Sequence, residues 1–359
     1  MLVQNLPSIQ QRLINLFSRY GNYTEFSNSA WIPDASNASY DSLESLHDNI
    51  HSIAGGNSGH MAFIPFSAFD PVFFLHHVNV DRLFAMWQAL NPDSWVTPYP
   101  ALMNSYTTSV GQIQDVNTSL TPFYASSDGT FYNSDMVRNE KRLGYSYAEV
   151  ANITLGEPVN KTLQSQVVRG INQLYGSSSV YRLVTELREE EDPGTSTKPL
   201  AASLVTDGRY REWVANIRVG KQALGGPFII YLFLGDVPDD GATWSHTANL
   251  VGTLNVFAAP DMPGMSMMNP NISGTVPLTT ALANKVLSGA LLNLETDEVE
   301  PYLRQNLKAS VVTAQGTVMN LAAIPSLGIH VISSSVIAPD SDDELPVWDS
   351  TVTSHFDLV

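Results

Sequence analysis

The sequence predicts a multidomain α + β fold, with a helical N-terminal region followed by a β-sandwich. Three observations predict it. The 359 residues exceed the size at which a single hydrophobic core stops growing. Through residues 1–95 apolar side chains recur at three- and four-residue steps. Beyond residue 200 they alternate, or run together between glycine and proline turns.

Taken in order, "PSIQQRLINLFSRY" carries Ile9, Leu13, Ile14, Leu16 and Phe17 on a helical face. "DSLESLHDNIHSI" repeats the pattern with Leu43, Leu46, Ile50 and Ile53, and offers Asp41 or Ser42 as its N-cap. "DPVFFLHHVNVDRLFAMWQAL" opens with Asp70 at the cap and Pro71 at the first helical position. Residues 96–145 are rich in Pro, Ser, Thr, Asn and Gly and read as irregular, and a helix is expected over 162–174. "LREEEDPGTSTKP", residues 187–199, combines an acidic run with Pro and Gly and reads as a linker. After it, "YREWVANIRV" alternates, sending Trp213, Ala215, Ile217 and Val219 to one face. Gly225-Gly226 makes a turn, "FIIYLFLGDV" is a buried strand, and "ANLVGTLNVFAA" and "LGIHVISSSVIA" are further strands. Between these last two, "PLTTALANKVLSGALLNL" reads as a helical insertion.

Composition removes several functions. Net charge is −17, with 35 acidic against 18 basic residues, so no basic stripe is available for nucleic acid or an anionic membrane. Cysteine is absent, which rules out disulfides, thiolate metal sites and a cysteine nucleophile. No apolar run is long enough for a transmembrane helix, and the first residues lack the features of a signal peptide. A cytoplasmic location is therefore expected, unless the natural N-terminus lies upstream.

A metal must then be held by His, Asp, Glu or Met. Five of the eight histidines fall between His47 and His77. His47 and His51 are spaced i, i+4 and leave one face of one helix, a spacing that suits a zinc or copper ion. Alone, the pair reads equally well as a solvated helix face. His76 and His77 sit on a second helix about 100° apart, so one of them is expected to join the first pair and the other to support it.

The run "ESLHDNIH … GHM … SAFDPVFFLHHVNVDRLFAMWQ" resembles the second-copper half of the type 3 copper proteins, and within those it is most similar to fungal tyrosinases. The resemblance implies His47, His51 and His77 as copper ligands, with His76 in a supporting position. It implies that Asp81 and Arg82 anchor the second helix through hydrogen bonds and an ion pair. Glu44 and Asp48 match carboxylates that hold a water used to deprotonate phenols, although ordinary helix charge explains them as well. Phe73 matches a packing aromatic near the copper and Ile64 a substrate-lining stretch, with plain core as the stronger alternative for both. His60 reads as structural, and His246, His330 and His355 as non-ligands.

The likeness continues through "LGYSYAE" and through "YREWVANIRVGKQALGGPFIIYLFLGD", which is similar to the start of the fungal tyrosinase C-terminal domain. It implies residues 1–155 as the second-copper half of a catalytic domain, 156–199 as a connecting helix and acidic linker, and 200–359 as a shielding β-sandwich. The activity implied is oxidation of mono- and o-diphenols to o-quinones by dioxygen, feeding melanin formation, in an enzyme kept latent as a zymogen.

The family site takes six imidazoles for two coppers, and no histidine precedes His47. The resemblance therefore implies a chain lacking the first-copper half, an incomplete helical bundle holding at most one copper. Uncovered apolar helix faces would favour self-association or a partner over the missing half. Such a chain is expected to be poorly soluble or inactive alone, and a non-catalytic remnant that shields a partner or handles copper is the alternative. Met262, Met265, Met267 and Met268 offer soft thioethers for a copper relay, against the stronger reading of a Met-rich gap-filling loop.

Overall fold

The computed structural model describes residues 2–32, 40–56, 59–102, 104–190, 201–259 and 270–359. The helical region holds α1 (Leu2–Arg19), α2 (Tyr23–Ser27), α3 (Leu43–Gly55) and α4 (Val72–Leu90). α5 (Ser134–Val137), α6 (Lys161–Tyr175), α7 (Val180–Glu190) and α8 (Ala201–Leu204) follow. Ile9, Leu13, Ile14, Leu16 and Phe17 of α1 are buried, as their spacing requires. They pack with Leu43 and Leu46 of α3, Leu83, Met86 and Trp87 of α4, and Val167 and Ile171 of α6. Ser42 is the N-cap of α3, its hydroxyl accepting the Ser45 N–H at 3.1 Å. Asp70 accepts the Val72 N–H at 2.9 Å at the start of α4.

The stretch expected to be irregular is partly paired. β1 (Tyr99–Pro100) joins β2 (Ile113–Gln114), and β3 (Ser119–Tyr124) joins β4 (Phe131–Asn133). Two-residue ladders in polar sequence carry no periodic signal. The expected linker begins inside α7, and its residues 191–199 lie outside the described residues.

The β-sandwich consists of two antiparallel four-stranded sheets. β10 (Val318–Met319), β9 (Leu307–Thr313), β6 (Phe228–Leu234) and β7 (Leu250–Val256) form one, in that order. β12 (Val347–Asp357), β11 (Gly328–Ile337), β5 (Arg209–Gly220) and β8 (Asn271–Pro277) form the other. Two helices, α9 (Thr279–Leu287) and α10 (Thr296–Asn306), close the core beside Trp213, Leu232 and Val331.

One expectation about β5 is corrected. The alternation of "YREWVANIRV" suggests one dry face, yet Glu212, Val214 and Asn216 on the other face are buried too. α1 and α3 lie across that side of the sandwich, near the edges of β7 and β8. Gly252 and Gly274 permit the approach: a Cβ at Gly252 would stand 2.5 Å from Ser8 Oγ, and one at Gly274 would strike Ser45. By contrast, Val72, Phe74, Leu75 and Val78 of α4 and Leu2, Val3 and Leu6 of α1 remain exposed. Among the described residues no helix is long and apolar enough to cross a membrane.

Candidate metal centre

α3 and α4 bring four imidazoles together. His47 and His51 have ring centroids 4.5 Å apart, and His76 and His77 each lie 5.0 Å from His47. Both members of the doublet lie beside the pair, one expected to join it at a metal ion and the other to support it. The His47, His76 and His77 rings form a triangle with 5.0 Å sides, so side chains about 100° apart on α4 both lie beside His47.

Hydrogen bonds fix three of the rings. His51 Nδ1 lies 2.9 Å from the Met61 carbonyl, His77 Nδ1 lies 2.6 Å from the Phe73 carbonyl, and His47 Nδ1 lies 2.9 Å from Asp48 Oδ1. A nitrogen facing such an oxygen carries the proton, which leaves Nε2 of all three as a lone-pair donor. His47 Nε2 and His77 Nε2 then face each other at 3.1 Å. Two lone pairs at that distance repel unless a proton or cation stands with them. The donor atoms of His47, His51 and His76 lie within 4.8 Å of one another, and His76 Nε2 is buried without a hydrogen-bond partner. An orphaned nitrogen beside three oriented ones fits a metal ion.

Protonation agrees with this. Burial, followed by the backbone bond to Met61 and the neighbouring rings, sets the His51 pKa at about 4. Burial and the other three rings push His76 down to about 3. Burial also lowers His77. His51, His76 and His77 are therefore neutral near pH 7, the form that coordinates metal. Asp48 is raised, chiefly by burial, against the bond to His47.

The other expected site residues fall as follows. Phe73 packs with its ring 4.0 Å from that of His77. Asp81 accepts the hydroxyls of Tyr145 at 2.8 Å and Tyr147 at 2.6 Å, and Arg82 pairs with Glu149. Glu44 does not turn toward the rings: Oε2 accepts the Ser29 N–H and O–H at 2.9 and 2.8 Å, and Oε1 lies 3.8 Å from Lys221 Nζ. Ile64 is exposed, so the core reading is corrected; it sits in the turn between two short 3-10 segments, His60–Ala62 and Ser67–Phe69. His60 is exposed outside the cluster. His330 and His355 bond to Asp357 and Glu300 within the sandwich. The four methionines lie outside the described residues.

Sequence reasoning missed two contributors. Met61 orients His51 through its carbonyl, a role that no side-chain pattern encodes. Phe257, just after β7, stacks on His51 with centroids 4.2 Å apart and planes at 15°. An aromatic at a strand end, about two hundred residues from its partner, has no local signal.

The chain matches the common central domain of tyrosinase over residues 1–90 and the tyrosinase C-terminal domain over residues 212–331. Together these cover more than half of it. The chain belongs to the tyrosinase family. It is 30% identical to a tyrosinase of Neurospora crassa across 94% of this chain and 61% of that protein. It is 31% identical to a tyrosinase of Podospora anserina across 80% of this chain and 58% of the relative. A recombinant mushroom tyrosinase structure superposes with a TM-score of 0.76 at 25% identity, covering 99% of this chain and 64% of that one. Aspergillus oryzae pro-tyrosinase, at 22% identity and a TM-score of 0.56, shares the fold. This tyrosinase-family chain spans about three fifths of the length of the curated relatives it matches. Copper is the metal of the family, and the imidazole set suits it.

Proposed function

We propose that this chain supplies a three-imidazole copper site to a phenol-oxidising tyrosinase and carries the domain that covers that site. The observation behind this reading is the shared orientation of His47, His51 and His77, each with Nδ1 engaged and Nε2 left as donor. His76 is assigned the neighbouring position, stacked on His47. Bound copper supplies the redox chemistry by which dioxygen oxidises mono- and o-diphenols to o-quinones for pigment formation. A two-copper site would take three further imidazoles beside these.

The protein's own groups orient and shield. Met61, Phe73 and Asp48 hold the ring tautomers. Asp48 and Glu44 are assigned the placing of the water that takes the phenolic proton, Glu44 only once it is released from Ser29 and Lys221. In the closed arrangement Glu44 is engaged by Ser29 and Lys221, and Phe257 lies against His51. Both contacts support a latent form in which residues from about 200 onward exclude substrate.

Copper content of the purified chain, with His51→Ala, His76→Gln and His77→Gln beside it, tests the reading. One copper per chain, lost in His51→Ala and His77→Gln and kept in His76→Gln, is expected. No copper in the parent chain overturns it, and loss in His76→Gln alone moves the third ligand to His76. Catechol turnover by the copper-loaded chain separates an active enzyme from a non-catalytic shielding or copper-handling protein.

A further inference from the structure

A β-bulge at the edge of the sandwich groups side chains that a regular ladder would separate. Along β11 and β12, His330 faces Asp357 and Val331 faces Phe356, yet Ile332 faces Ser354. One extra residue of β12, His355, is thereby inserted. Partners across a ladder share a face, so Ser354 and Asp357, three residues apart, both come to the face of His330. Phe356 turns the other way into the core, and His355 stacks on Trp213 with ring centroids 4.5 Å apart.

Each of the two histidines completes a chain of serine, imidazole and carboxylate. His330 Nε2 lies 2.8 Å from Ser354 Oγ, and its Nδ1 lies 2.6 Å from Asp357 Oδ1. His355 Nε2 lies 2.9 Å from Ser333 Oγ, and its Nδ1 lies 2.9 Å from Glu300 Oε2. A carboxylate only accepts, so it fixes the proton on Nδ1 and leaves Nε2 to accept the serine O–H. These are the nucleophile, base and orienting acid of serine acyl transfer. Access separates the two sets. The inner one is closed: Ser333 is buried, the His355 side chain is 1% exposed, and Arg211 Nη1 also donates to Ser333 Oγ at 3.4 Å. In the outer one Ser354 and Asp357 are exposed and the His330 side chain is partly so.

We propose that Ser354, His330 and Asp357 form an acyl-transfer site that takes small, activated carboxylic esters. Ser354 Oγ bonds to the ester carbonyl carbon as its proton passes to His330 Nε2. His330 returns that proton to the departing alcohol oxygen as the bond from that oxygen to carbon breaks. Water then attacks the acyl-serine, giving a proton to Nε2, which restores it to Oγ as the carboxylic acid leaves. Asp357 is a positioning residue: it touches only the imidazole, holds its tautomer and offsets its transient charge. The exposed setting gives no walls to select an acyl chain, so leaving-group reactivity sets the substrate class. No member of the imidazole cluster on α3 and α4 takes part.

Treating the full chain with p-nitrophenyl acetate and mapping the acetylated residues over time by mass spectrometry tests the site. Acetyl-Ser354 is expected to form at least about 100-fold faster than the acetyl ester of any other exposed serine, the gain from a positioned general base. Ser333 stays unmodified. His330→Gln is expected to bring Ser354 down to the level of those other serines. Asp357→Asn keeps the shape and an acceptor but loses the charge, and a fall of about tenfold or more is expected, with Asp357→Glu recovering part of it. A merely structural acid would tolerate the asparagine. Acetylation confined to lysines, or a Ser354 no faster than its peers, overturns the proposal, and that comparison within the parent chain needs no variant to fold. Parent-rate labelling in His330→Gln or Asp357→Asn, each shown folded by circular dichroism, overturns it as well.

Discussion

The entry to α3, and with it the placement of His47 and His51, hangs on one buried ion pair. Arg12 of α1 donates Nη2–H and Nε–H to Asp41 at 2.6 and 2.8 Å, with both side chains nearly inaccessible at 0% and 3%. Asp41 stands beside the N-cap Ser42 and also accepts the Thr275 hydroxyl of β8 at 2.7 Å. It therefore ties α1, α3 and the sandwich at one point. Arg12→Met leaves a buried carboxylate with two hydrogen bonds and no counter-charge, which costs about 3–5 kcal/mol. In urea unfolding followed by tryptophan fluorescence, this is a fall in midpoint of roughly 1 M for a chain of this size. The neutral pair Arg12→Met with Asp41→Asn keeps most of the packing and is expected to lose only about 1–2 kcal/mol. The excess of the single change over the double is what identifies an uncompensated charge rather than a lost contact. A midpoint within about 0.3 M of the parent for Arg12→Met, or a double variant worse than either single, refutes the reasoning.

Two further outcomes follow from the same surface and from the site. Gly252→Ala sets a methyl 2.5 Å from Ser8 Oγ and 2.9 Å from Val276 Cγ1, so α1 must retreat from β7. A loss of about 1–3 kcal/mol in thermal unfolding is expected, and an unchanged transition would mean that α1 does not seat there. Phe257→Ala removes the ring stacked on His51. Carbethoxylation of His51 should quicken more than about tenfold while the helical circular dichroism stays intact, the barrier lost being part of the roughly 3–5 kcal/mol of a buried phenyl group. An unchanged rate would show that other side chains close that face.

Most of the site was legible because its geometry is local. His47 and His51 lie one helical turn apart, and the Asp-Pro start that sets the phase of α4 lies within seven residues of His77. What escaped the sequence is long-range. Met61 acts through a carbonyl, Glu44 is drawn to Ser29 and Lys221, and Phe257 arrives from the end of β7 in the sandwich. The edges of the sandwich escaped for a similar reason. β8, β9 and β12 are polar or interrupted, and only their neighbours in the ladder make strands of them.

By itself the sequence determined the α-then-β order, the caps of the site helices and the placing of His47, His51 and the His76-His77 doublet on two helices, since each depends on spacings within a few helical turns. Only the tertiary structure decided that both members of the histidine doublet lie beside His47, each ring 5.0 Å from it and from the other. It alone placed the polar face of β5 in the dark against α1 and set the Glu212 carboxyl without a counter-charge. The physical reason is that burial belongs to pairs of surfaces. A side chain that reads as solvent-facing along its own strand loses its water only when a distant helix closes over it.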